Sequence, residues 1–382
     1  MSLVTLLALT ATLYTASSVA AGDADPLPAD TIKLLKNRLA LNSTDVWVSG
    51  TRIEALLETD FPEVAVFEAP YVPYKPLPDW QVPAETNEIV YTWADQRSPD
   101  CTQFYCIDGG AAADPASLGV GWMIAAEKNA SLLPAVDEEI DYLMQDVLRF
   151  DDEYGTMSMR QANEEVSCWA DFVYMVPPFL AYYGVANHNE TIIDECFRQL
   201  HGYRSHLLGT NTNLWKHITD EGAIDDPNLW ATGNAWVAGG LLRVAATLRK
   251  STYWAKYEKQ VDEILGWADA IVAEAFTHIR DDDLLPNYFD YSPADTFSDG
   301  SASALLASVP FRLAGLGYNQ TSTNLDIAER VRVAVNKSIN ETTGWIAPAV
   351  NPIGWGENSG ESPESVAFAL LLDAAYRAYV EA

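Results

Sequence analysis

Positive charge is what this sequence lacks. Against 54 Asp and Glu it carries only 23 Lys and Arg, a formal charge of −31 at pH 7 over 382 residues. Nucleic acids and anionic membranes are gripped by clustered Lys and Arg, so neither is expected as a partner. Histidine is scarce, with five in the chain, and the four cysteines show no C-x-x-C spacing, so no metal site is expected. Long apolar runs are missing, and nothing reaches the length a bilayer requires. There is no G-x-S-x-G elbow, no phosphate-binding glycine loop, no H-E-x-x-H and no dinucleotide fingerprint. What is plentiful is apolar and aromatic: 48% hydrophobic residues, with 12 Trp, 18 Tyr and 12 Phe. That is enough to build a substantial core and to exclude disorder for most of the chain.

The N-terminus narrows the compartment. Residues 1–22 hold no charged side chain, and an apolar run from Leu3 to Leu13 leads to Ser18-Val19-Ala20-Ala21, small residues of the kind a signal peptidase accepts. The reading is a signal peptide over 1–21 and one secreted, extracellular domain over 22–382, expected to be a monomer. Asn42, Asn129, Asn189, Asn319, Asn336 and Asn340 each open an N-x-S/T sequon, which suits that route. Cys101, Cys106, Cys168 and Cys196 form an even set that could pair in an oxidising compartment. Three pairings are open, and Cys101–Cys106 with Cys168–Cys196 is the expectation. The acidic balance suits mildly acidic surroundings.

From about Asp114 onward, apolar residues recur at three- and four-residue spacing. The pattern predicts helices over 116–128, 135–150, 171–183, 191–208, 234–248, 254–276, 301–316, 325–338 and 363–380, with an earlier one over 30–41. Gly, Asn, Asp or Pro stands between them. No convincing run of β-branched strands intervenes. The fold class is therefore all-α, and helical hairpins arranged as an inner and an outer ring, an (α/α)6 barrel or six-hairpin toroid, are preferred to a superhelical repeat array. The stretch from about 45 to 105 is rich in Pro and aromatics in its middle and is expected to be an irregular insertion.

Three stretches gather aromatic and ionisable residues. In Cys168-Trp169-Ala170-Asp171-Phe172, Asp171 is the only charged residue between Glu165 and Glu190. A carboxyl among apolar groups loses hydration, its pKa rises, and it can serve as a general acid. Asp is also a favoured helix N-cap, and from residue type alone that is the commoner reading. In Leu214-Trp215-Lys216-His217, a rare histidine follows a tryptophan and could hydrogen-bond a sugar; a structural histidine is the ordinary alternative. In Trp230-Ala231-Thr232-Gly233-Asn234-Ala235-Trp236, two tryptophans bracket a Gly-Asn turn. Indole faces stack on pyranose rings, although both could equally be core.

Taken in order, these stretches resemble the unsaturated glycuronyl hydrolases of glycoside hydrolase families 88 and 105, chiefly the unsaturated rhamnogalacturonyl hydrolases and their fungal relatives. The resemblance runs from about Asp108 to the C-terminus. It rests on Trp169-x-Asp171 with Tyr174-Met175 and Pro178-Phe179, on Leu214-Trp215-x-His217, and on Trp230-x-x-Gly233-Asn234-x-Trp236. Asp114-Pro-Ala-Ser-Leu-Gly119 and Ser362-Pro363-Glu364 with Ala367-Phe368 complete it. It implies an (α/α)6 barrel and an oligosaccharide substrate bearing a 4,5-unsaturated uronyl end, cleaved by hydration of the double bond without a metal or organic cofactor. Asp171 would be the general acid/base and Asp114 the second aspartate. Trp169, His217, Trp230, Thr232, Asn234 and Trp236 would form the sugar subsite. Many bacterial members carry arginine where this chain has Thr232, leaving Arg160, Lys216 or His217 to supply positive potential. An ordinary inverting glycosidase, or a non-catalytic carbohydrate-binding protein on the same fold, are the alternatives.

Overall fold

Twelve α-helices, traced in the computed structural model over residues 25–72, 81–106, 111–160, 165–220, 225–318 and 322–382, pack as two concentric rings. The inner ring is α2 (Val46–Asp60), α4 (Gly119–Ala126), α6 (Phe172–Ala186), α8 (Ala231–Arg249), α10 (Gly300–Gly315) and α12 (Pro363–Glu381). Contacts run from α2 to α12, α10, α8 and α6, and return through α4 and the 3-10 turn Asp114–Leu118 that opens it. The outer ring is α1 (Ala29–Asn42), α3 (Ala84–Gln96), α5 (Leu133–Asp141), α7 (Glu190–Leu207), α9 (Trp254–Ala275) and α11 (Ser322–Lys337), each packed on its inner neighbours. This is the (α/α)6 barrel. None of these helices is long and apolar enough to cross a membrane.

The two rings differ in sequence because they differ in burial. Outer α7 buries one stripe, including Ile192, Ile193, Cys196, Phe197, Leu200, Tyr203 and Leu207, at the helical period. Inner α8 is buried without a break from Ala231 to Leu248. Small residues let it sit close to α6: a Cβ on Gly240 would collide with the Val173 carbonyl. The stretch 45–105, expected to be an irregular insertion, instead supplies α2 and α3. Sequence periodicity missed α2 because Val46-Trp47-Val48-Ser49-Gly50 is apolar or small on every side. Gly50 is needed there, since a Cβ would strike Ser117 in the turn before α4. The helix expected over 135–150 closes sooner, in a π-helical turn Tyr142–Asp146. The proposed signal segment and the Asn319 sequon lie outside the described residues.

Along the axis, Trp236 is enclosed edge-on by Tyr174 and Phe368, each with its ring 4.6 Å away, and by Trp47. Below it runs a buried ionic ladder. Arg243 pairs with Glu54 at 3.1 Å and Glu58 at 2.6 Å, and Arg312 pairs with the other Glu58 oxygen at 2.6 Å. The ring is sealed at the α1–α12 seam, where the Leu27 amide donates to Asp373 across 346 residues at 2.6 Å.

Cys101 and Cys106 form the expected disulfide. The second expected pair is corrected: Cys168 and Cys196 are both buried thiols, and Cys196 Sγ donates to the Pro177 carbonyl at 3.2 Å. Helix packing points Cys196 at α6, so it acts as a small core residue. A thiol titration without reductant is expected to find no reactive thiol in the native protein and two on unfolding. A titre of none after unfolding would restore the second bridge.

Candidate active site

The inner helices begin at one end of the barrel, and most begin with an acid. Asp45 precedes α2, Asp114 opens the turn before α4, Asp171 precedes α6, Asp299 precedes α10, and Glu364 lies in the first turn of α12. Only α8 differs, starting with Ala231-Thr232. Helix N-termini stabilise negative charge, so carboxylates collect here at reduced cost. Two short antiparallel sheets lie at the same end: β1 (Ser167–Trp169) with β2 (Ile218–Asp220), and β3 (Leu285–Pro286) with β4 (Ser298–Asp299).

The first sheet assembles the site. Trp169 pairs with Ile218, and the Ala170 amide donates to the His217 carbonyl at 2.9 Å. This sets His217 beside Asp171, which directly follows the strand. Asp171 stands at the N-cap position, but its side chain accepts no capping hydrogen bond, so capping does not explain the residue. Its Oδ2 has no hydrogen-bond partner, yet the side chain keeps 19% exposure and is reachable. Burial raises its pKa, against the opposing charge of His217, its own backbone amide and Arg160.

Behind Asp171 stands a relay. His217 is 1% exposed, its Nε2 is 3.7 Å from Asp171 Oδ2, and its Nδ1 is 2.9 Å from Asp226 Oδ2. Asp226 also accepts from the Tyr288 hydroxyl at 2.6 Å and Asn228 Nδ2 at 2.7 Å. Burial alone would raise Asp226, but these hydrogen bonds and that of His217 outweigh it and hold the carboxyl below its usual range. The Asp226 carboxyl thereby fixes the orientation of the His217 ring beside Asp171.

Aromatic rings pack this relay. His217 lies 4.3 Å from the Trp230 ring and 5.0 Å from Trp355, and Trp169 meets both His217 and Trp355 edge-on. Trp230 Nε1 donates to Asn287 at 3.0 Å, which fixes its plane. On the other side of Asp171 is Asp114, buried, with a pKa pushed up to about 7 by burial and by the charges of Asp171 and Asp45, against Arg160. Glu364 also lies in the field of Asp171. Burial first, then Asp299 and Asp171, raise it well above its usual range, and its Oε1 has no partner.

Of the residues expected at the site, Asp171, Asp114, Trp169, His217 and Trp230 come together. Three others lie behind it. Asn234 exchanges hydrogen bonds with the Trp215 backbone at 2.7 and 2.9 Å and so holds the loop that carries His217. Trp236 is enclosed on the barrel axis. Thr232 is fully buried and donates to Asp299 at 2.6 Å. Sequence reasoning missed Asp226, Tyr288 and Trp355, which arrive from separate loops and share no motif. A cavity of about 290 Å³ opens next to the relay, lined by Asp225, Asp226, Tyr288, Tyr291, Asp295 and Trp355 among others. Among the described residues no group of three or more His, Cys, Asp or Glu is arranged to hold a metal ion.

The sequence model of Glycosyl Hydrolase Family 88 matches residues 79–273. Among solved structures, the chain is similar to a possible member of glycoside hydrolase family 105 from Klebsiella pneumoniae, at 15% identity and TM-score 0.70 over 95% of each chain. It is similar also to one from Salmonella enterica, at 16% identity and TM-score 0.66, covering 92% of this chain and 94% of that one. A third is an unsaturated glucuronyl hydrolase responsible for glycosaminoglycan degradation in Bacillus sp. GL1, at 16% identity and TM-score 0.59, covering 92% and 94%. At these identities the likeness is one of fold. No curated protein matches the sequence.

Proposed function

The chain belongs to glycosyl hydrolase family 88, and from that membership we propose that this glycoside hydrolase is secreted and removes 4,5-unsaturated uronic acid from the non-reducing end of rhamnogalacturonan-type oligosaccharides. The observation that carries the reading is Asp171: a partly exposed carboxyl with one buried, unpartnered oxygen, its pKa raised by burial, and backed by His217 and Asp226. Hydration of a vinyl ether needs such a group. Asp171 gives its proton to C4, the π electrons form that bond, and the positive charge falls on C5 and the ring oxygen. Water adds at C5 and returns a proton to Asp171. The hemiketal opens to a C5 ketone, and the hemiacetal left at C1 releases the neighbouring sugar as an alcohol. Asp114, beside Asp171, holds the water.

Two further observations support the substrate. The Bacillus relative is itself an unsaturated glucuronyl hydrolase, which favours an unsaturated uronyl end here. The cavity beside the relay has acids Asp225, Asp226 and Asp295 in its lining and no Lys or Arg. Such a cavity accepts hydroxyl hydrogens and repels a second uronate, so it suits a neutral leaving sugar such as rhamnose. The inverting reading fits less well, because burial pushes both Asp114 and Asp171 toward the neutral form, and an inverting pair needs one ionised base.

The test is the absorbance of the conjugated unsaturated uronate, followed on lyase-generated oligosaccharides at mildly acidic pH. Decay is expected on rhamnogalacturonan-derived ends and slower decay on galacturonan-derived ends. Absence of decay on both sinks the reading.

A further inference from the structure

Among the described residues Arg160 is a guanidinium whose charge reaches both Asp114 and Asp171 and that no side-chain hydrogen bond or ion pair engages. It lies just before β1, bridged to Ala111 across the approach to Asp114. Its guanidinium carbon lies over the Trp169 ring, 4.4 Å from the ring centre. A contact of this kind holds the charge in place while its N–H donors can still meet an acceptor. Nε is buried without a hydrogen-bond partner, and Arg160 enters no ion pair among the described residues. That is unusual company for a lone cation. Its charge reaches both Asp114 and Asp171, yet it pairs with neither.

An anionic sugar entering this end of the barrel meets a set of acids, Asp45, Asp114 and Asp171, with Asp299 and Glu364 buried behind them. The position where a cation would be expected from the first turn of α8 is Thr232, whose hydroxyl is already given to Asp299. His217 is 1% exposed and spends Nδ1 on Asp226. Arg160 combines charge with side-chain donors that no partner among the described residues takes.

We propose that Arg160, held over Trp169, binds the carboxylate of the substrate's uronyl ring and is the residue that makes the enzyme specific for an acidic sugar. The proposal rests on the functional reading above and adds to it the group that reads the anion. A guanidinium meets a carboxylate through two parallel N–H···O bonds, which fixes the ring as well as holding it. The ring so held would lie close to Asp171, whose carboxyl is within the field of Arg160.

The test compares wild type, Arg160→Gln and Arg160→Lys on an unsaturated uronyl disaccharide and on its methyl ester, where the charge is removed and the shape kept. For Arg160→Gln, KM on the free acid is expected to rise about 10- to 100-fold, the range of a charge-assisted pair, with the larger part of the loss in KM. The preference for acid over ester should collapse, and Arg160→Lys should restore part of it. A KM on the acid within twofold of wild type overturns the proposal. So does an equal loss on acid and ester, which is what damage to Trp169 packing alone would give. Should wild type turn over neither substrate, the functional reading has failed instead. Calorimetric binding of galacturonate then decides Arg160 separately: weaker binding by Arg160→Gln supports it, and equal binding overturns it.

Discussion

Asp171→Asn is expected to lower kcat/KM on an unsaturated uronyl oligosaccharide by about a thousandfold or more, at the upper end of what one general acid contributes. The melting temperature should stay level or rise. The two halves follow from the same geometry. Asparagine keeps the shape of the side chain but carries no proton acidic enough for C4. It also loses nothing structural, because Asp171 caps no amide and has one oxygen without a partner. Removing a carboxyl whose charged form is disfavoured by burial relieves a cost. A residue kept only as a helix cap would behave the other way, with a loss of about 1 kcal/mol in stability and activity largely retained. Kinetics with thermal melting of the same preparation separates the two. A variant with a tenth or more of wild-type activity would remove Asp171 from its role. In the wild type, activity should fall as rising pH takes the proton from Asp171.

The second large effect is on stability. Burial pushes Glu54 up to about 7, Asp114 to about 7 and Glu139 to about 8. A carboxyl whose pKa is higher folded than unfolded contributes stability that is full below its unfolded value near 4 and is lost as pH rises through the folded value. Asp152 and Asp226 are shifted the opposite way, and their contribution is lost as pH falls below 4. The protein should therefore be most stable near pH 4 and weaken steadily from there toward pH 8. Glu139 isolates the effect, because it sits far from the site. It is fully buried behind the 101–106 disulfide loop, accepts the Phe104 amide at 2.6 Å, and leaves Oε1 without a partner. At about 1.4 kcal/mol per unit, its shift corresponds to a few kcal/mol between pH 5 and 8. Glu139→Gln should melt near wild type at pH 5 and well above it at pH 8. Parallel melting curves for the two proteins across this range would contradict that account.

Much of the barrel was legible from its outer face. Helices such as α7 and α9 bury a stripe and therefore write a period into the sequence. The inner ring was read where capping and punctuation helped, as at Asp299 before α10 or Ser362-Pro363 before α12. It was missed at α2, whose first turn Val46–Gly50 is apolar or small and whose buried side carries Glu54 and Glu58, so no clear period survives. The site divides along the same physics. Trp169, Asp171 and His217 were found because they stand in local clusters of rare residue types. Asp226 and Trp355 were not, because what matters about them is a contact made across loops: His217 reaches Asp226 nine residues away and Trp355 from the far end of the chain. Cys196 misled for a related reason. A thiol on the buried stripe of α7 is packing, and only its neighbours reveal that.

The seam between α1 and α12 determines when this enzyme comes into existence. Asp171 and Asp114 belong to the middle of the ring, but the wall that backs them is completed by α12, joined to the first turns of the chain by Leu27 and Asp373. A ribosome delivers the chain from its N-terminus, so the face of α2 that packs on α12 must wait until α12 has been made. Contacts so distant in sequence are slow to form, and the open ring meanwhile exposes surface that other chains can seize. Its early life is that of an unsealed cylinder depending on whatever shields hydrophobic faces during synthesis.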